Sequence, residues 1–116
     1  MVVDQIPDAD IDRIFHALAD STRRDIVAVA VGGGHSVSDL AKRYPMSFAA
    51  VQKHIAVLER AGLVTKERHG REQLVQTEMQ AVRQASELLT ELEDLWRGRL
   101  ERFGALLETP KEGTQT

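Results

Sequence analysis

Two segments with helical apolar spacing flank Pro45, and the short distance between them constrains the fold more than any other feature of the sequence. The residue before a proline avoids helical geometry, so the first segment is predicted to be a helix over Asp39–Tyr44. The second is predicted to be a helix over Phe48–Ala61, because Ser47 can cap its first turn and a glycine follows its end. A turn of about three residues between two helices, within residues 36–62, is the spacing of a helix-turn-helix motif.

A short hairpin is predicted directly after this motif, over residues 63–77. Apolar residues at Leu63-Val64 and Leu74-Val75 lie on either side of a turn that contains Gly70, which is the pattern of two antiparallel strands. A hairpin in this position is a wing. The predicted fold class is therefore mainly α with a small β-hairpin wing, a winged helix-turn-helix that is expected to be dimeric.

Helical spacing also covers both ends of the chain, which is predicted to form a single domain over residues 1–116. N-terminal helices are predicted within residues 8–31, and one long helix over residues 79–107. At about 1.5 Å per residue, the long helix would span about 40 Å. The polar residues 108–116 are predicted to be a flexible tail.

The apolar stripe of the long helix is larger than a domain of this size can cover, so a second copy of the chain is expected to pack against it and form a homodimer. Trp96 and Phe103 have an alternative interpretation, as the lining of a pocket for an organic ligand. The predicted dimer interface comprises Ile11, Ile14, Phe15, Leu89, Leu92, Trp96 and Phe103.

Composition argues against several functional classes. The chain has no cysteine, which excludes disulfides and thiolate metal sites, and its four histidines lie in separate elements without ligand spacing. No metal or cofactor is therefore predicted, and the alternative is a carboxylate site formed across the dimer. No nucleophile, base and orienting residue stand out, so the chain is not predicted to be an enzyme. The first nine residues are acidic and lack the apolar stretch of a signal peptide, and no run approaches the roughly 18 apolar residues that a membrane span needs, so no membrane contact and a cytoplasmic location are expected.

The net charge of −3 is distributed unevenly along the chain. Residues 36–77 hold seven basic and four acidic residues, a local charge of +3, so the flanks together carry −6. A polyanion meets the local field of the surface it approaches rather than the total charge. Residues 36–77 are therefore the candidate nucleic-acid-binding segment.

The helix after the turn has two distinct faces. Val51, Ile55 and Leu58 recur at the spacing of one helical face and are predicted to point into the core. The opposite face then presents a glutamine, which can bond an adenine edge, and a lysine, which can reach guanine or phosphate. The alternative is an ordinary solvated helix with one exposed aromatic. The predicted DNA-binding residues here are Ser47, Phe48, Ala49, Gln52, Lys53 and His54.

Two parts of this prediction have open alternatives. His54 would either contact a phosphate or be a half-buried histidine bonded to a nearby backbone group. Arg68, His69 and Arg71 in the wing would reach phosphates or the minor groove, or would form a solvated hairpin in which acidic neighbours pair with them.

Four runs of sequence, taken together and in order, resemble the ArsR-type winged-helix repressors of bacteria and archaea. The resemblance covers residues 10–107 and implies a dimeric, α-rich fold with the recognition helix at Ser47–Ala61 and the wing tip at His69-Gly70. The sequence departs from the family at Gln52, where a serine is common, so the operator of a relative cannot be transferred. The runs are Ala17–Arg24, Ser36–Ala41, Ala50–Val64 and Arg68–Glu72.

These observations together predict a sequence-specific transcriptional regulator that binds double-stranded DNA. It is expected to be a repressor that acts as a homodimer on an inverted-repeat operator, and the resemblance suggests that its own promoter is one target. The alternative is a dimeric protein-interaction module of the same fold that does not bind DNA. No pattern in the sequence identifies a small-molecule effector.

Overall fold

The computed structural model describes residues 7–115, with side chains as far as Leu107. The chain divides into two compact units, residues 1–85 and residues 86–116, where the sequence predicted a single domain. The division follows from the core, whose last member along the chain is Ala85. The second unit contains only the continuation of the last helix, so it has no second element to pack against within itself.

The first unit is mainly helical with a small antiparallel sheet, which confirms the predicted fold class of a winged helix-turn-helix. The predicted hairpin is formed by the strands Val64–His69 and Glu72–Thr77, and a short strand, His35–Ser36, pairs with the other side of the second one. In chain order the elements are α1 (Asp8–Ala17), α2 (Ser21–Val29), β1 (His35–Ser36), α3 (Val37–Ala41), α4 (Phe48–Arg60), β2 (Val64–His69), β3 (Glu72–Thr77) and α5 (Met79–Gln115).

The first helix of the motif, α3, lies earlier in the chain than predicted. Ser36 is its N-cap and accepts a hydrogen bond from the backbone N–H of Asp39 at 3.0 Å, so α3 begins at Val37 instead of Asp39. It ends at Ala41 instead of Tyr44, because the next backbone N–H groups bond to carbonyls three residues back, in a tighter turn. The connection to α4 is therefore residues 42–47, longer than the predicted turn.

The core of the first unit is apolar and draws on both helices and sheet. Val51, Ile55 and Leu58 of α4 are at most 1% exposed, as their spacing predicted. Ile26 of α2 and Val75 of β3 are also fully buried in the same cluster. Burial of a large aliphatic side chain contributes about 1.5–3 kcal/mol, so one face of α4 is committed to the core.

A buried threonine fixes the end of the wing to the helices. The Thr77 hydroxyl donates to the carbonyl of Val27 at 2.6 Å, and the Thr77 backbone N–H donates to the carbonyl of Ala30 at 3.1 Å. Next to Thr77, the backbone N–H of Glu78 donates to the carbonyl of Leu63, the residue before β2, at 2.8 Å. These bonds satisfy polar groups that would otherwise be costly to bury, and they hold the base of the hairpin beside α2.

The tip of the wing is a two-residue loop between the paired residues His69 and Glu72. Gly70 has a φ of +64°, and Arg71 does not have a positive φ. A positive φ at only the first central position is the requirement of a type II′ turn, which glycine meets without steric cost. The tip is therefore tight, and it presents Arg71 at the end of the hairpin.

Two residues of the predicted dimer interface belong to the interior of the protomer. Ile11 and Ile14 are buried in the first unit, where α1 packs against α4. Phe15 is half-buried and packs against the same core. An apolar stripe that faces the protomer's core has the same spacing as one that faces a partner, so a place for Ile11 and Ile14 in a dimer interface stays a prediction.

The last helix, α5, continues beyond its predicted end at Leu107 as far as Gln115. The predicted flexible tail over residues 108–116 is therefore helical up to Gln115, and Thr116 lies outside the described residues. In the described part of the chain, no helix is both long enough and apolar enough to cross a membrane.

Candidate nucleic-acid interface

The outward face of α4 is formed by four of the predicted residues: Phe48, Ala49, Gln52 and Lys53, all exposed. Residues three and four apart on a helix are neighbours, so Phe48 and Gln52 share one ridge and Ala49 and Lys53 the next. No hydrogen bond or ion pair within the described residues engages Gln52 or Lys53. Both side chains are therefore free to bond to an external partner.

Ser47 marks the start of this helix and is exposed. Its hydroxyl oxygen accepts a hydrogen bond from the backbone N–H of Ala50 at 3.1 Å. This cap satisfies one of the unpaired donors of the first helical turn. The structure therefore assigns Ser47 a helix-capping contact, and a contact between Ser47 and DNA stays a prediction.

His54 points toward the protein rather than away from it. Its Nδ1 lies 3.3 Å from Nη1 of Arg23 and 3.9 Å from a carboxylate oxygen of Asp20, and the side chain is half-buried. The predicted half-burial is right, whereas the partner is a side chain and not a backbone group. An Arg23 N–H can donate to Nδ1 only if the ring proton is on Nε2, so a contact between His54 and a phosphate, which stays a prediction, would use the Nε2–H.

Arg23 is a functional candidate that the sequence analysis missed. Its Nε donates to the carbonyl of Ala17 at 2.7 Å and its Nη2 donates to the carbonyl of His16 at 3.1 Å, which caps the C-terminus of α1. With its contact to His54, Arg23 links α1 to the recognition helix α4. Nothing in local spacing marks this role, because two of its partners are backbone carbonyls and the third is 31 residues away.

Asp20 completes the cluster around Arg23. Its carboxylate is the N-cap of α2 and accepts the backbone N–H of Arg23 at 3.0 Å. This hydrogen bond holds the pKa of Asp20 below its usual range. Desolvation alone would raise the pKa, and the charges of His54 and Arg23 help to lower it. A lowered carboxylate pKa stabilises the fold above the ordinary pKa of the group, and this contribution is lost as the pH falls through the lowered value.

The basic residues of the wing differ in how they are paired. Nε2 of His69 lies 3.0 Å from a carboxylate oxygen of Glu67 on the same strand, β2, so this pair runs along the strand and does not cross to β3. Nζ of Lys66 lies 3.5 Å from Glu59 and joins the hairpin to α4. Arg68 and Arg71 are exposed, and within the described chain neither takes part in an ion pair.

Comparisons with known proteins agree with this geometry. A family model described as "Helix-turn-helix domain" matches residues 18–67. The HTH-type transcriptional regulator Rv2034 of Mycobacterium tuberculosis is 33% identical over 103 residues, which cover 89% of this chain and 94% of the relative. The transcriptional repressor SdpR of Bacillus subtilis is 29% identical over 59 residues, which cover 51% of this chain and 66% of the relative.

The solved structures place the chain in a family. An ArsR-like transcriptional regulator from Rhodococcus sp. RHA1 matches with a TM-score of 0.74 and 30% identity, covering 84% of this chain and 92% of that one. The chain belongs to the ArsR family of winged helix-turn-helix transcriptional regulators. In this ArsR-family regulator, the serine-to-glutamine departure noted at Gln52 lies on the exposed face of α4. Within the described residues, no three histidine, aspartate or glutamate side chains come together as a metal site would require.

The connection that precedes the recognition helix of this ArsR-family regulator is anchored by Tyr44. Its hydroxyl donates to a carboxylate oxygen of Asp25 at 2.7 Å, which ties residues 42–47 to α2. The pKa of Tyr44 is raised to about 12. Burial is the largest cause, followed by the hydrogen bond to Asp25 and the negative charge of Asp25. The neutral phenol is therefore favoured by folding. Its contribution to stability is present below the ordinary pKa of 10.0 and is lost as the pH rises toward about 12.

We expect Tyr44 to titrate well above a free tyrosine, and the Asp25→Asn variant to titrate at a lower pH than the unmodified chain. Removing the carboxylate abolishes both the strong acceptor and the charge that oppose ionisation of the phenol. The chain has a single tyrosine, so tyrosinate absorbance during an alkaline titration reports on this group alone.

The matched control is Asp39→Asn, since Asp39 does not contribute to the pKa of Tyr44. Circular dichroism recorded in parallel defines the pH range over which the protein is folded. A midpoint near 10.0 in the folded, unmodified chain would show that the Tyr44–Asp25 bond is absent in solution.

Proposed function

We propose that this chain binds specific sequences of double-stranded DNA through α4 and represses transcription as a homodimer. The observation that carries the proposal is the division of α4 into two faces. Its inner face is at most 1% exposed, whereas Gln52 and Lys53 on its outer face have no partner in the described chain. A helix held by the core on one side, with free polar side chains on the other, is suited to enter a major groove.

The local charge supports contact with a polyanion. Residues 36–77 carry +3 against −6 for the flanks, and Arg68 and Arg71 are unpaired at the tip of the wing. We propose that these two arginines bind phosphates or enter the minor groove beside the half-site contacted by α4. Such contacts orient the protein on the duplex, and the edges of the bases then decide the sequence.

Repression follows if the bound protein blocks polymerase at a promoter. The similarity to a transcriptional repressor, SdpR, supports this direction of regulation over activation. We propose that the promoter of its own gene is one of the targets. The acting species is a homodimer whose two α4 helices contact an inverted repeat, with half-sites about one helical turn apart.

The homodimer is proposed from the apolar stripe of the second unit. Eight large hydrophobic side chains there are 49–73% exposed. Most of them fall on one side of the helix at 100° per residue, and each forfeits up to about 1.5–3 kcal/mol when left in water. Covering them with the same stripe of a second copy recovers that free energy. The eight are Leu89, Leu92, Leu95, Trp96, Leu100, Phe103, Leu106 and Leu107.

The Gln52→Ala variant should lose operator affinity by about 1–3 kcal/mol and should relax the base preference at one position of the half-site, because a bidentate contact to a base edge is removed. Lys53→Ala should lower the slope of log K against log salt by about 1 if the lysine binds a phosphate. The measurement is a fluorescence-anisotropy titration of a duplex selected from random sequences, repeated at several salt concentrations.

The matched control is Gln80→Ala, an exposed glutamine at the start of α5, which should bind the operator like the unmodified chain. Unchanged affinity in both α4 variants would mean that α4 is not the surface that contacts DNA. If selected and scrambled duplexes bind equally well, the chain is not a sequence-specific regulator.

The Leu92→Glu variant should shift the protein from dimer to monomer, because it would bury an unpaired charge in an apolar interface. An unpaired buried charge costs several kcal/mol; the comparable cost of leaving one charge unpaired when a buried ion pair is broken is about 3–5 kcal/mol. It should also lower operator affinity much more than nonspecific affinity, because only a dimer spans both half-sites. Sedimentation velocity and the same anisotropy titration measure both effects.

Thr90→Glu is the control for Leu92→Glu, because Thr90 is an exposed position on the polar side of the same helix. It should remain dimeric and bind normally. Leu92 is half-exposed in the protomer, so the charge should not unfold the chain. A folded Leu92→Glu variant that stays dimeric and binds normally would place the dimer contact elsewhere.

A further inference from the structure

Phe48 is an exposed aromatic side chain that does not contribute to the packing of the core. It is 47% exposed and is the first residue of α4. It belongs neither to the core nor to the partly buried residues packed against the core, although its near neighbour Met46 does. Between Val37 and Arg60, a stretch that is described throughout, no other large hydrophobic side chain is exposed.

The neighbours of Phe48 on the outward face of α4 are one small apolar residue and one polar residue. Ala49 beside it is small and exposed, so the side chain of Ala49 leaves the ring accessible. Gln52 lies one turn further along the same ridge and is the polar side chain best placed to bond a base edge. Phe48 and Ala49 therefore form a small apolar patch at the N-terminal end of the face that carries the polar contacts.

In the helix-turn-helix arrangement, the N-terminal residues of the recognition helix contact the edges of the bases in the major groove. Those edges present hydrogen-bond donors and acceptors, and the C5-methyl group of thymine is their one apolar group. A phenyl ring pressed against a donor or acceptor would leave it without a partner, which costs free energy. Against a methyl group, the ring loses nothing and both surfaces leave water.

We infer that Phe48 and Ala49 form a subsite for the C5-methyl group of thymine, so that Phe48 helps to determine which operators are bound. This inference rests on the proposed function. It specifies the operator chemically: a thymine lies in the half-site next to the base pair that Gln52 contacts. Deoxyuridine, which differs from thymidine only by this methyl group, is poorly accepted there.

The test uses the chain of residues 1–116 and the duplex selected from random sequences. Each thymine of one half-site is replaced in turn by deoxyuridine, and affinity is measured by anisotropy. One position should weaken binding of the unmodified chain by about 3- to 10-fold, the effect of losing one buried methyl contact. The Phe48→Ala variant should bind the thymine operator with a similar loss and should no longer distinguish thymine from uracil at that position.

Two further variants separate this role from a general effect of surface hydrophobicity. Phe48→Leu keeps an apolar side chain and should retain part of the discrimination. Met79→Ala removes another exposed hydrophobic side chain, outside the helix-turn-helix, and should bind both duplexes like the unmodified chain.

The outcomes distinguish failure of the inference from failure of the proposed function. If selection yields an operator but no uracil substitution weakens binding, Phe48 does not bind a thymine methyl group. The ring would then insert between base steps or contact a protein partner. If Phe48→Ala discriminates as well as the unmodified chain, another residue contacts the methyl group. If selection yields no preferred sequence, the proposed function itself is wrong and the inference falls with it.

Discussion

The burial of one face of α4 is the constraint on which the rest of the structure depends. Val51, Ile55 and Leu58 are almost completely removed from water, and they fix the rotation of the helix about its own axis. A rotation that exposed them would forfeit about 1.5–3 kcal/mol for each side chain. The same rotation decides that Gln52 and Lys53 point outward, so the core and the candidate interface are two consequences of one helix orientation.

Polar contacts at its ends and along its length fix where α4 begins and how it meets its neighbours. Ser47 caps its first turn, Arg23 joins its middle to the C-terminus of α1 through His54, and Lys66 joins its end to the wing. Each contact between side chains is worth little alone at a solvent-accessible position. Together they connect α4 to α1, to α2 and to the hairpin, and so hold the outward face of α4 and the wing in fixed relative positions.

Much of the fold was predictable because apolar spacing and turn chemistry specify it locally. The two faces of α4, the hairpin around Gly70 and the long last helix all follow from spacing that a single sequence shows. The start of α3 did not, because only the packed structure shows that Ser36 is its N-cap. Spacing also did not show that Ile11 and Ile14 are buried within the protomer, since it marks a buried face but not what buries it. The role of Arg23 depends on contacts distant in sequence and on backbone acceptors, which leave no local pattern.

The central claim, that the exposed face of α4 enters the major groove at two half-sites, is tested most directly by methylation protection on the selected operator. Dimethyl sulfate modifies guanine N7, which lies in the major groove. Bound protein should protect guanine N7 in two clusters about one helical turn apart. Bound protein that leaves every guanine N7 reactive would show that α4 does not occupy the major groove and would contradict the account.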